Sequence, residues 1–256
     1  MVISHLAGHV LTFSIICSRL IMKAKVTNRL ITAIALCGIL AVSAPSLAQR
    51  GTDPSIWDEA MRRFAEMDRR DPPEPGGIVL TGSSSIARWN VQAADALAPL
   101  TVIPRGFGGS VMNDVLFHLD HVALKYRPRA IVIYEGDNDT AFGIAKDVIL
   151  SGLKEIITRV HEALPETRIY VMAVKPSTLR VNVWNDALEV NAAYQEVAKS
   201  DPLVFFIDSA SPFLREDGKV MTDIFVDDGL HLNVTGNLIW GSIIRAALMP
   251  QEARYE

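Results

Sequence analysis

Cysteine occurs only twice in the 256 residues, at positions 17 and 37, and both fall in an N-terminal stretch with the marks of a leader. A chain processed behind that stretch has no thiol, so disulfides, thiolate metal sites and a cysteine nucleophile are excluded. Charge of one sign is also scarce. The 25 basic and 29 acidic side chains sum to −4, which gives no general attraction to nucleic acid or anionic lipid. Neither a completed G-x-G-x-x-G nor a G-x-x-x-x-G-K-[ST] occurs, so the two common phosphate-cradling loops are missing. What is present in quantity is apolar side chain: 49% of the chain, with a mean hydropathy of +0.21. That supplies a large core and excludes a disordered or collagen-like chain.

The hydrophobic excess is uneven. Residues 1–48 hold no Asp or Glu and four basic residues, Arg19, Lys23, Lys25 and Arg29. The apolar run Leu30–Val42 is followed by Ser43-Ala44-Pro45-Ser46-Leu47-Ala48, with small residues at 46 and 48. A basic start, a short apolar stretch and a small-x-small exit predict a signal peptide cleaved after Ala48, hence a secreted or periplasmic protein. The run is short for a membrane span, which needs about 20 residues, so an uncleaved anchor is the less favoured alternative. A lipoprotein at Cys37 is weaker still, because Leu36 precedes it. Met22 offers a second start, which makes 1–21 a candidate start-site extension. Removing 1–48 leaves 208 residues with 21 basic and 29 acidic side chains, a net charge of −8.

Behind the leader, the sequence divides into an N-terminal helix and linker over 49–75 and one domain over 76–256. Ile56, Trp57, Ala60, Met61, Phe64 and Met67 recur at helical spacing over 53–70, and Asp71-Pro72-Pro73-Glu74-Pro75-Gly76-Gly77 stops that helix. Short apolar runs at 78–81, 100–103, 130–135, 168–174 and 203–207 read as strands. Amphipathic patterns at 110–125, 145–163, 185–199 and 233–247 read as helices. Continuous apolar strands alternating with helices predict a parallel five-stranded sheet covered on both faces, a three-layer α/β sandwich.

Ligands of such sheets bind beyond the carboxyl ends of the strands. Four polar segments follow strands here: Thr81-Gly82-Ser83-Ser84-Ser85-Ile86, Arg105-Gly106-Phe107-Gly108-Gly109-Ser110, Gly136-Asp137-Asn138-Asp139 and Asp227-Asp228-Gly229-Leu230-His231. A serine between strand and helix is placed as a nucleophile, though it serves equally as a helix cap. Asp228 can hold the imidazole of His231 and leave its second nitrogen to take a proton from serine. His231 is set apart by position: His118, His121 and His161 sit on predicted helices, and His5 and His9 lie in the leader. Gly109 and Asn138 offer an N–H and a carboxamide from neighbouring strand ends, the donors an oxyanion needs. Asp114, His118 and His121 share a helical face at metal-ligand spacing, but a solvated face is the favoured reading and no metal is expected. Two sequons, at Asn138 and Asn233, overlap the site; a glycan on Asn138 is incompatible with a donor role.

Together the four segments resemble the SGNH hydrolases, the GDSL-type esterase and lipase superfamily, over roughly residues 76–249. Gly82-Ser83-Ser84 is similar to the family's Gly-Asp-Ser, Gly109 to the glycine of its second block, Gly136-x-Asn138-Asp139 to its third and Asp228-x-x-His231 to its last. The resemblance implies a flavodoxin-like αβα fold and a triad of Ser84, His231 and Asp228. It also implies an oxyanion hole from the Ser84 N–H, the Gly109 N–H and the Asn138 side chain. Two departures stand out. Ser83 replaces the usual aspartate, a Gly-Ser-Ser-Ser variant that leaves Ser83 and Ser85 as neighbouring hydroxyls. Block two opens on Pro104-Arg105-Gly106 instead of an asparagine.

The expected activity is ester hydrolysis through an acyl-enzyme, without cofactor or metal, on a small-molecule or carbohydrate ester, rising with pH as the imidazole loses its proton. The alternatives are an envelope O-acyltransferase with the same nucleophile, and a non-catalytic carbohydrate-binding domain on the same fold. Lys175-Pro176-Ser177, Arg180 and Trp184 are candidates for the pocket rim, with solvated charges the equally good reading. No apolar lid insertion is evident, which favours short acyl groups.

Overall fold

The structure, a computed structural model, describes residues 53–256; the leader, its cleavage point and the second start lie outside them. A 3₁₀ turn at Pro54–Trp57 leads into α1 (Asp58–Arg70). Then follow β1 (Ile78–Gly82), α2 (Ser84–Trp89), α3 (Ala93–Leu97), β2 (Val102–Gly106), α4 (Met112–Phe117) and α5 (Leu119–Val122). The second half runs β3 (Ala130–Tyr134), α6 (Asp137–Ala141), α7 (Lys146–Ala163), β4 (Arg168–Met172), α8 (Trp184–Ser200), β5 (Val204–Ile207) and α9 (Val234–Glu252).

The five strands form one parallel sheet in the order β2-β1-β3-β4-β5. Side chains alternate between its faces as strand geometry requires. Val79, Ile131, Ile133, Ile169 and Val171 enter one core with residues of α1, α4, α5, α7 and α8. Ile78, Leu80, Val132, Tyr134 and Met172 enter the other with α2, α3 and α9. This is the expected doubly wound sandwich. The chain leaves β1 toward β2 and then returns past it to β3, so the strand order reverses between β1 and β3, the point at whose carboxyl ends such sheets bind ligands.

Two expectations need correction. The second strand covers 102–106, not 100–103, and carries Pro104 and Arg105 within it. It is an edge strand, so a proline without an N–H is tolerated there. Arg105 is nearly buried because Asp68, Tyr126 and the rings of Phe64 and Tyr126 receive its guanidinium. The helix expected over 110–125 breaks at His118, whose backbone ends α4 and starts α5. The Gly136–Asp139 segment follows β3 as expected, and its Asp137, Asn138 and Asp139 form the first turn of α6. Helix α1 packs Ala60, Met61 and Phe64 into the first core.

Candidate active site

Strand β1 ends on Gly82 at φ +132, a conformation L side chains rarely adopt. A Cβ there would sit 2.2 Å from the Tyr134 carbonyl oxygen, so only glycine lets β1 run this close to β3 before turning. Ser83 follows as the N-cap of α2 and is buried, which takes its hydroxyl off the surface. Ser84 opens the helix. Its Oγ lies 2.8 Å from His231 Nε2, and His231 Nδ1 lies 2.6 Å from Asp228 Oδ2. The other Asp228 oxygen accepts the N–H groups of His231 (2.8 Å) and Leu230 (2.9 Å). Burial opposes ionisation of Asp228, but these N–H groups and the imidazole outweigh it and hold the carboxyl far below the usual carboxylate range. Asp228 is therefore an ionised acceptor that orients one imidazole nitrogen and leaves the other on the serine.

The glycine loop after β2 meets this chain from the side. Phe107 N–H donates to the Gly82 carbonyl (2.9 Å), and a Cβ on Gly108 would lie 3.7 Å from Ser84 Cβ. Gly109 has φ +88 and packs under the Trp57 indole, 3.1 Å from where a Cβ would stand. Asn138 Nδ2 donates to the Ser110 carbonyl at 2.8 Å, which fixes the third segment to the second and leaves the amide its other hydrogen. Asn138 Oδ1 accepts from Arg180 Nη2 at 2.7 Å. All four polar segments thus lie at the carboxyl end of the sheet.

The remaining candidates fall differently. Lys175 is not a solvated rim charge: it is buried, donates to the Leu230 carbonyl at 2.7 Å and lies 3.8 Å from Asp137. Burial pulls its pKa down against the pull of Asp137. Arg180 is largely buried and bridges Asp137 to Asn138. Trp184 packs on the first core and lines an apolar pocket with Pro176, Ser177 and Val181. Asp114 and His118 do not form a solvated face. Both are buried, Asp114 accepting Val111 N–H and His118 Nε2 lying 2.9 Å from the Pro54 carbonyl, while His121 is exposed. Among the described residues no cluster of three or more such side chains has the geometry of a metal site. Asn138 is buried, and Asn233 caps α9 through Gly236 N–H, so both sequon amides are engaged.

Four residues escaped the sequence reading. Trp57 roofs the glycine loop, packing edge-on to Phe107 at 5.6 Å. Asp137 receives Tyr134 OH (3.0 Å) and two cations, which together hold its carboxyl low despite its burial. Glu135 and Ser110 lie beneath the loop, joined at 2.5 Å. The signal for Glu135 was available: an acidic residue at the end of an all-apolar strand has no reason to be there on packing grounds.

A parallel αβα sandwich with a serine, a histidine and an aspartate in one hydrogen-bonded chain defines a class of hydrolase fold and site. Residues 71–239 match the model of the GDSL-like Lipase/Acylhydrolase family, and the chain belongs to that family, the SGNH hydrolases. It is a carboxylic ester hydrolase. It is 25% identical over 199 residues to the human platelet-activating factor acetylhydrolase IB subunit alpha1, covering 76% of this chain and 83% of that one. In fold it is similar to a GDSL-like lipase from Bacteroides thetaiotaomicron (TM-score 0.65, 18% identity, 74% of this chain and 97% of that one). An acetylxylan esterase from Geobacillus stearothermophilus is likewise similar (TM-score 0.57, 12% identity, 69% and 95%).

Proposed function

We propose that the protein is an exported serine esterase that hydrolyses short-acyl esters through an acyl-enzyme. The observation that carries this reading is the continuous chain from Asp228 through His231 to the Ser84 hydroxyl. Asp228 holds the imidazole by its Nδ1–H, so Nε2 is the free base. His231 takes the Ser84 proton as Oγ attacks the ester carbonyl. The oxyanion receives the N–H groups of Ser84 and Gly109 and the free amide hydrogen of Asn138. Protonated His231 then gives its hydrogen to the leaving alcohol, and in the second half-reaction it takes one from the water that cleaves the acyl-enzyme.

Three observations support the finer parts. The leader-like composition of residues 1–48 favours export. Two of the similar proteins, the acetylhydrolase subunit and the acetylxylan esterase, carry an acetyl ester in their names, which favours short acyl groups and a small-molecule or carbohydrate substrate. Both are hydrolases, which favours water over an alcohol acceptor. Labelling with a fluorophosphonate tests the nucleophile: the parent should label, and Ser84→Ala should not. Equal labelling of the two removes Ser84 from the role. A series of p-nitrophenyl esters of rising chain length should show kcat/KM greatest at acetate or propionate, and a maximum at eight carbons or more overturns the short-acyl assignment.

A further inference from the structure

Behind the glycine loop sits a carboxyl group that the reaction described above does not use. Glu135 follows β3 directly and is fully buried. Its Oε1 lies 2.5 Å from Ser110 Oγ, while Oε2 has no hydrogen-bond partner. No lysine or arginine pairs with it among the described residues; the two buried cations of this edge, Lys175 and Arg180, both face Asp137. The charged groups around Glu135 are all acidic: Asp139, Asp114 and Asp137. Tyr194 OH reaches only its backbone carbonyl, at 3.3 Å. Of this set, Asp139 accepts two backbone donors, Met112 N–H (3.0 Å) and Gly136 N–H (2.9 Å), one on each oxygen, and Asp114 accepts one, Val111 N–H (3.0 Å).

The Ser110 hydroxyl faces two oxygens with one hydrogen to give. Ser110 Oγ carries one hydrogen and lies 3.0 Å from the Phe107 carbonyl as well as 2.5 Å from Glu135. A carbonyl only accepts, so the serine hydrogen belongs to Phe107, whose oxygen is otherwise buried without that bond. Both contacts are hydrogen bonds at once when the serine hydrogen goes to the Phe107 carbonyl and the hydrogen between Ser110 and Glu135 comes from a protonated Glu135. Burial and the three neighbouring carboxylates agree, raising its pKa well above the ordinary carboxyl range. The resulting chain runs from Glu135 O–H to Ser110 O–H to the Phe107 carbonyl, and it spans the two ends of the loop that carries Gly108 and Gly109. The Ser110 carbonyl in turn accepts from Asn138.

We propose that Glu135 is a positioning residue, a protonated carboxyl whose hydrogen bond to Ser110 holds the Gly109 loop and the Asn138 amide in register as oxyanion donors. This rests on the esterase reading above. Removing the whole of one donor costs about 10²–10³ in rate, so loosening the support behind two should cost about 10–100-fold. The effect falls on kcat, because these donors act on charge that appears only in the transition state.

The test compares Glu135→Ala and Glu135→Gln in the full chain, with p-nitrophenyl acetate as substrate and Ser84→Ala as control. The expected result is at least a tenfold loss of kcat in E135A with KM within threefold of the parent, and recovery in E135Q to above a third of the parental kcat, since the amide can also donate to Ser110. The infrared C=O band of a protonated carboxylic acid, present in the parent at neutral pH, should be missing from E135Q. A kcat in E135A within tenfold of the parent overturns the inference, as does E135Q below a third of the parent. An unchanged carboxylic-acid band in E135Q overturns it too. If E135A does not fold, E135Q and its spectrum decide alone by the same thresholds. Residual hydrolysis by S84A at the parental rate overturns the esterase reading itself. An inactive S84A beside an unimpaired E135A overturns only the role of Glu135.

Discussion

The two ends of the sheet are both rich in buried charge, and they use it in opposite ways. At the amino ends of the strands, Glu252 of α9 is fully buried and takes Arg168 at 2.5 and 2.9 Å, Tyr170 OH at 2.8 Å and Arg129 at 3.2 Å. Arg129 also reaches the Gly76 carbonyl and Glu256, and Glu256 holds Thr101. Each charge there meets its opposite, and the cluster ties the last helix to the start of the sheet. At the carboxyl ends, Glu135, Asp139 and Asp114 crowd together with no lysine or arginine among them in the described residues, only the His118 imidazole beside Asp114, while Arg180 and Lys175 face Asp137. Paired charge fastens the fold. A carboxyl buried without a cation is costly to ionise, and its pKa rises instead.

Substitutions at each end should separate the two uses. The largest effect is expected from Ser84→Ala, a loss of about 10⁴-fold or more in kcat with an unchanged melting temperature. A matching drop in stability would break the division between the ends. Next comes Glu252→Leu, which strands Arg168 and Arg129 and should cost about 3–5 kcal/mol in urea unfolding. Its kcat per folded molecule should stay within a factor of about two. Asn138→Ala should lower kcat by about 10²–10³ and leave the unfolding midpoint nearly untouched. Hydrolysis retained within about threefold would take Asn138 out of the oxyanion hole.

Smaller effects probe the cations and the acids of the site end. Arg180→Lys keeps the charge but loses the fork between Asp137 and Asn138. About a tenfold fall in kcat is expected, and a parental kcat would show that the amide is oriented by Ser110 alone. The last prediction concerns pH. Burial raises Asp139 from 3.8 to about 6. The folded chain holds this proton more tightly than the unfolded one, so the stability linked to it is complete below about pH 4 and is lost as pH rises to about 6. Asp139→Asn should flatten that slope relative to the parent in urea unfolding at pH 4, 5, 6 and 7. A carboxyl whose pKa is lowered, as hydrogen bonds to Thr101 and Arg129 lower that of Glu256 at the amino end, would show the opposite slope.

Much of this architecture is legible in the amino-acid sequence. Strands such as Ile78–Leu80 and Ile131–Ile133 are apolar on both faces, and a strand buried on both faces reads as an unbroken run. The functional segments are legible because they interrupt such runs at the same end of each strand. Arg105 is illegible as a strand residue, since its burial depends on Asp68 and Tyr126, 37 and 21 positions away. The break at His118 is equally hidden, because Pro54, 64 positions earlier, supplies the partner that holds the imidazole. Lys175 reads as a surface charge for the same reason: its acceptor, the Leu230 carbonyl, is 55 positions away.

By itself, then, the sequence determined the layer architecture, the strand end at which chemistry gathers and the residue types available for it, because periodicity and turn chemistry are local. The tertiary structure alone brought the Ser84 hydroxyl, which the family resemblance had singled out, onto His231, and decided which acids at the rim meet a cation and which do not. Those outcomes depend on distances of a few ångströms between segments up to 147 positions apart, and no local pattern encodes them.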